Sequence, residues 1–256
     1  MKATRLAIVR ILFCLLAIVL YTGCDNREKT APVTIDPDAK LVCLFFDDGW
    51  QNQYDMALPI LLKYNFKATF GVITGEIGIG EGLWKHMGEK ELKELTGYGM
   101  DIASHTRTHP DLTANLDDKQ LRDEIIESKR DLEKLGFKVR TFVSPHHKWN
   151  DAVIEYIENA GYVCGRAGLE KPFDLTTTNL KARFHVPGYP IVGQDFEQFK
   201  AIVDKASGDS AICLVYHFIS DSGPLETSTP VANFHEQISY LKEGGFTVLL
   251  LPDLFR

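Results

Sequence analysis

Two short stretches of this chain gather side chains that can do chemistry together. Ser104-His105-Thr106-Arg107-Thr108-His109-Pro110 sets two imidazoles four residues apart, and Phe45-Phe46-Asp47-Asp48-Gly49 sets two adjacent carboxylates at the end of an apolar run. Side-by-side carboxylates repel each other and are poorly solvated beside a hydrophobic strand; a divalent cation resolves both problems. Consecutive side chains at a strand-to-loop transition point in different directions. Asp48 can therefore ligate a cation while Asp47 faces a bound water, and Gly49 lets the backbone turn sharply. His105, His109 and Asp48 then form a His/His/Asp set with open positions, the pattern of a catalytic site. Nitrogen and oxygen donors without thiolate suit zinc, with cobalt, nickel or iron as alternatives. The chemistry implied is hydrolysis, with a spare carboxylate to take a proton from water. The plainer reading of Asp47-Asp48 is a helix N-cap pair, and histidine pairs at this spacing also arise by chance. Pro110 disfavours helix at His109, so the two histidines are expected on one face of a short helical turn.

These residues need elements to hold them. Leu41 to Phe46 is continuously apolar, as in a strand buried on both faces. Strands are expected at 68–73, 101–104, 139–143, 162–165, 211–216 and 247–251. Helices are expected at 53–64, 89–97, 117–135, 151–160 and 234–242, with Gly136 and Gly161 as stops. Repeated β-then-α with apolar strands implies parallel strands covered by helices, as a (β/α) barrel or an open doubly wound sheet. Asp47-Asp48, Ser104-His105, Ser144-Pro145-His146 and Tyr216-His217 all fall just past strand ends, where such folds bind ligands. Four polar clusters at one rim favour the barrel.

With these motifs in place, the chain resembles the polysaccharide deacetylases of the NodB-homology group (carbohydrate esterase family 4) over about residues 41–251. Phe45-Phe46-Asp47-Asp48-Gly49, Ser104-His105-Thr106-Arg107-Thr108-His109 and Leu214-Val215-Tyr216-His217 carry the likeness. The resemblance implies an α/β fold, a distorted (β/α) barrel. It implies Asp48, His105 and His109 as metal ligands, Asp47 as general base and His217 as general acid. It also implies an oxyanion site at the third-motif loop, with Pro145 and the His146 backbone N–H. The third motif departs from the family pattern. Val143 stands where an arginine often orients the base, and Arg166 or Arg183 is the candidate source of the missing guanidinium. His147 stands where glycine is common. Trp50 and Trp149 adjoin motif residues and are candidates for stacking on a sugar; Trp84 and Tyr189 read as packing.

The chain has 256 residues, a net charge of −7 and no basic patch, so no nucleic-acid partner is indicated. Lys2, Arg5 and Arg10 before an apolar run at 11–20 fit a signal peptide. Tyr21-Thr22-Gly23-Cys24 resembles a bacterial lipoprotein signal, with tyrosine in place of the usual leucine. Residues 1–23 are thus expected as leader, 24–39 as a polar tether on a lipidated Cys24, and 40–256 as the deacetylase-like domain. That places the domain at the cell envelope, or outside the cell if the lipid signal is not used. Cys43, Cys164 and Cys213 read as small core residues and not as a disulfide framework. The expected activity is removal of acetyl from N-acetylated sugars of a polysaccharide. The alternatives are an O-acetyl esterase on acetylated polysaccharide and a carbohydrate-binding relative that has lost turnover.

Overall fold

The computed structural model describes residues 36, 38–193 and 195–255. The expected leader, Cys24 and most of the expected tether lie outside the described residues. Strands β1 (Leu41–Phe46), β2 (Thr69–Val72), β3 (Asp101–Ser104), β4 (Thr141–Val143), β5 (Cys164–Leu169), β7 (Val186–Pro190) and β8 (Ser210–Tyr216) pair in parallel, in that order. β8 closes on β1 from Leu41↔Ala211 to Phe46↔Tyr216, so these strands form a closed seven-stranded barrel.

The closure is distorted on one side. β7 meets only the upper part of β8, at Tyr189↔Leu214 and Pro190↔Val215. Lower down, the short antiparallel β6 (Phe173–Asp174) pairs with Ala211 and Ser210 instead. β9 (Phe218–Ile219) and β10 (Ser228–Thr229) form a separate small ladder, and β11 (Thr247–Val248) pairs beside the start of β1.

The apolar run of β1 is buried throughout because its two faces meet two cores. Cys43 and Phe45 point into the barrel with Ala103, Val143, Cys164, Val186, Cys213 and Val215. Val42, Leu44 and Phe46 pack outward beneath the helices with Leu58, Leu61, Phe234 and Ile238. The period of two along a strand makes this division. The three cysteines are free and buried in the inner set, as small core residues should be.

The helices are α1 (Leu58–Tyr64), α2 (Glu89–Gly97), α3 (Asp118–Arg122), α4 (Ser128–Lys134), α5 (Asp151–Asn159), α6 (Phe196–Val203) and α7 (Val231–Glu243). Two expected helices carry wide turns. A π-turn at Gln53–Ala57 precedes α1, next to Pro59, whose missing N–H breaks the regular ladder. Another at Asp123–Glu127 joins α3 to α4. β5 begins and ends later than the expected 162–165. β7 and α6 are additional to the expected elements; two prolines and a glycine in Val186–Pro190 argue against a strand on sequence grounds. Among the described residues no helix is long and apolar enough to cross a membrane.

Candidate active site and metal centre

The alternation that builds the barrel interior also builds its lid. Asp47 continues the inward face of Cys43 and Phe45; His105 continues Ala103, and His217 continues Cys213 and Val215. Arg166 follows Cys164 on the inward face of β5 and is fully buried. Expected just past a strand, this arginine lies inside one. The strand is hard to read from sequence because its second inward residue is a cation, tolerated there because a carboxylate meets it.

Arg166 Nη2 donates to Asp47 Oδ2 at 2.5 Å, and its guanidinium lies 5.6 Å from the Phe45 ring centroid. Gly188 makes room for it: a Cβ there would fall 2.7 Å from Val215 Cγ2 and 3.3 Å from Arg166 Cδ. Arg166, one of the two arginines expected to orient Asp47, thus reaches it from the strand position paired with Val143. Arg183, the other candidate, stacks on Phe184 at 4.7 Å and lines a groove with Phe173 and Leu254, apart from the site.

Burial pushes the Asp47 carboxyl up, but Arg166 and then His105 and His217 outweigh it and hold the group below its ordinary value. Its Oδ1 is buried and accepts no hydrogen bond from another protein group. His217 Nε2 lies 3.9 Å from Asp47 Oδ2. Gln53 ties the two strand ends together, donating from Nε2 to the carbonyls of Asp47 (2.5 Å) and His217 (2.8 Å). In the sequence Gln53 reads as one more polar residue opening an amphipathic helix; only its full burial in the structure sets it apart.

Asp48 departs from the strand with φ 73, followed by Gly49 at φ 80, and this left-handed turn lifts its carboxylate out of the barrel axis. Asp48 Oδ1 then lies 3.4 Å from His105 Nε2 and 3.5 Å from His109 Nε2. One donor atom from each of the three residues falls within 4.8 Å of the others. The expected helical turn is absent. Thr106 (φ 67) and His109 (φ 61) are left-handed, and His109 N–H donates to Thr106 Oγ1 at 3.0 Å. Glu124 staples the loop, accepting from the backbone N–H of Arg107 (2.8 Å) and Thr108 (3.0 Å) and from the Thr108 hydroxyl (2.7 Å).

The donor set fits a divalent cation. His105 Nδ1 sits 2.8 Å from the Val143 carbonyl, which can only accept, so Nδ1 carries the proton and the Nε2 lone pair is free. Burial works to lower the His105 pKa, but the hydrogen bond to Asp48 and the charges of both aspartates raise it above the ordinary value. The extra proton would occupy Nε2, where the three donors converge, and a cation there replaces it. Burial and then His105 push His109 down to about 4, so its imidazole is neutral near pH 7. Burial raises Asp48, yet His105, His217 and His109 bring it well below the carboxylate range.

Trp50 Nε1 donates to the second Asp48 oxygen at 3.0 Å, and its ring stacks on His86 (4.0 Å) and Phe218 (4.5 Å). Its indole therefore orients a candidate metal ligand. Trp50→Phe should keep the stacking and weaken metal affinity by roughly 10–100-fold, measured by chelator competition. Trp84, 56% exposed, meets Trp50 edge-on, whereas Trp149 stacks on His185 at 4.1 Å. Pro145–His147 forms a tight, non-helical turn at the rim, and the His146 ring lies 4.7 Å from that of His109.

Comparison with known proteins gives the family and the fold. A model of the Polysaccharide deacetylase family matches residues 34–165. YxkH of Bacillus subtilis is 33% identical over 148 residues, 57% of this chain and 51% of that protein. A peptidoglycan-N-acetylglucosamine deacetylase of Bacillus cereus is 31% identical over 138 residues, 53% and 61% respectively. The chain thus spans about half to three-fifths of the length of these relatives. The structure of a family 4 carbohydrate esterase from Bacillus anthracis superposes with a TM-score of 0.58 at 22% identity, covering 86% of this chain and 84% of that one. At that identity the likeness speaks for the fold.

Proposed function

As the chain belongs to the polysaccharide deacetylase family, we propose that it is a metal-dependent hydrolase removing acetyl groups from N-acetylated sugars of a polysaccharide. The observation that carries this reading is the division of labour between neighbouring carboxylates. Asp48 converges with His105 and His109, while Asp47, held by Arg166, keeps Oδ1 free. Asp48, His105 and His109 would hold the cation, zinc first on the chemistry of the donors. When bound, the cation supplies Lewis acidity, polarising an acyl oxygen and acidifying a water.

The protein's own groups supply the rest. Asp47 Oδ1 takes a proton from the water as the new C–O bond forms. Arg166 keeps Asp47 ionised and fixes its plane. The His146 backbone N–H is offered to the oxyanion. His217 gives a proton to the leaving nitrogen as the C–N bond breaks, so that acetate and a free amine depart. His217→Ala should therefore slow hydrolysis of an N-acetyl sugar by roughly 10²–10⁴-fold. A phenyl acetate, with a good leaving group, should lose far less. Equal losses on both would remove His217 from the acid role.

The arginine missing from the third motif left open a binding relative without turnover; Arg166 beside Asp47 weighs against that reading. Acetate release from N-acetylated chitooligosaccharides, acetylated xylan and an aryl acetate, with and without chelator, tests the proposal. Release from xylan alone would favour the O-acetyl esterase, and glycan binding with no release would favour the binding relative. We also place the protein at the cell envelope through a lipidated Cys24. Cys24→Ser should move it from the membrane to the soluble fraction, and an unchanged distribution would count against the anchor.

A further inference from the structure

We propose that His147 is a fixed, uncharged hydrogen-bond donor to the substrate's acyl oxygen, with Arg166 setting its tautomer. The inference rests on the deacetylase reading above. His147 Nδ1 lies 2.6 Å from Arg166 Nη1. A guanidinium has only donors, so Nδ1 must be the bare nitrogen and the ring proton must sit on Nε2. The two nitrogens point away from each other across the five-membered ring. With Nδ1 turned to the fully buried Arg166, Nε2–H is directed away from that arginine, on a side chain that is only partly buried.

The backbone reinforces this placement. His146 (φ 55) and His147 (φ 58) are consecutive left-handed residues that are not glycine, a conformation held against steric cost and concentrated at functional sites. The same guanidinium spans Asp47 on one nitrogen and His147 on the other, so base and donor are positioned as one unit. Burial and Arg166 also push the His147 pKa down to about 3, so the donor stays neutral across the working range.

Two variants of the full chain, His147→Leu and His147→Gln, test the proposal with N-acetylated chitooligosaccharide at matched thermal midpoints. His147→Leu should lose about 10²-fold in kcat, the scale for one oxyanion donor, with the acid limb of the pH profile unmoved. Glutamine can accept from Arg166 and donate outward, and should restore most of the rate. An unchanged kcat overturns the proposal. So does a loss accompanied by an upward shift of the acid limb, because His147 would then merely brace Arg166. A ¹⁵N-histidine NMR spectrum of the zinc-loaded protein gives a readout independent of turnover. It should show His147 as the Nε2–H tautomer, with its Nε2 signal shifted by added acetate. An Nδ1–H tautomer, or a signal blind to acetate, overturns the inference even if no chitooligosaccharide is hydrolysed. Wild-type protein that responds to acetate as expected but releases none from any substrate would instead count against the deacetylase reading.

Discussion

Arg166→Met is expected to cut acetate release by roughly 10²–10⁴-fold and to destabilise the domain by about 3–5 kcal/mol. Both effects have one cause. Asp47 is 2% exposed and its pairing partner is fully buried, so removing the guanidinium leaves a carboxylate with little water and no cation. Burial then pushes the Asp47 pKa up without its main opponent. In the wild type the folded pKa is below the unfolded value. The pair therefore stabilises the fold above the unfolded pKa, and that stability is lost as pH falls through the folded pKa. In the variant the folded pKa rises, so the acid limb of kcat/KM moves to higher pH. Urea unfolding and pH–rate profiles check the two effects. The double variant Arg166→Met/Asp47→Asn should regain part of the stability and none of the rate. An unmoved acid limb in Arg166→Met would show that the arginine does not govern the ionisation of Asp47.

The site shows where sequence reasoning reaches and where it stops. Asp47 and His217 lie beyond apolar strands and His105 beyond the short Asp101–Ser104, each two residues past an inward one, so the period of two carries all three onto the interior face. The clustering of Asp48, His105 and His109 follows from residue type and strand-end position. The local path does not. Spacing of four suggested a helical turn, but Thr106 Oγ1 and Glu124 hold the loop in left-handed conformations that have no periodic signature. Arg166 was legible as a candidate and illegible as a strand residue, because a lone cation breaks an apolar pattern unless its distant partner is known. It is 119 positions from Asp47, and both Arg166 and His217 fall beyond the 34–165 span of the family match. β7 was illegible for a related reason. Its prolines and glycine are poor strand formers, and its place is set by closure of the barrel and by the space Arg166 needs beside Gly188.

Asp48→Ala should abolish both metal retention and turnover, whereas Asp47→Asn should retain the metal and lose roughly 10²–10⁴-fold in rate. The two residues are adjacent and both anionic, so a purely electrostatic account predicts similar losses of metal from either change. Geometry predicts a split. Asp48 Oδ1 is the oxygen facing both imidazoles, at 3.4 and 3.5 Å, and its replacement leaves two nitrogen donors. Neither Asp47 oxygen belongs to that three-donor cluster: Oδ2 accepts from Arg166, and Oδ1 accepts from no protein group. Asparagine keeps the shape of Asp47 but cannot take a proton at that position. It also leaves Arg166 facing a neutral amide, so a loss of stability accompanies the loss of rate. Metal content by atomic spectroscopy and acetate release, measured on the same preparations, separate the roles. Metal-free Asp47→Asn protein that is folded would mean that both carboxylates bind the cation. The spare base would then be missing from the centre, and the hydrolytic assignment would lose the proton acceptor on which it depends.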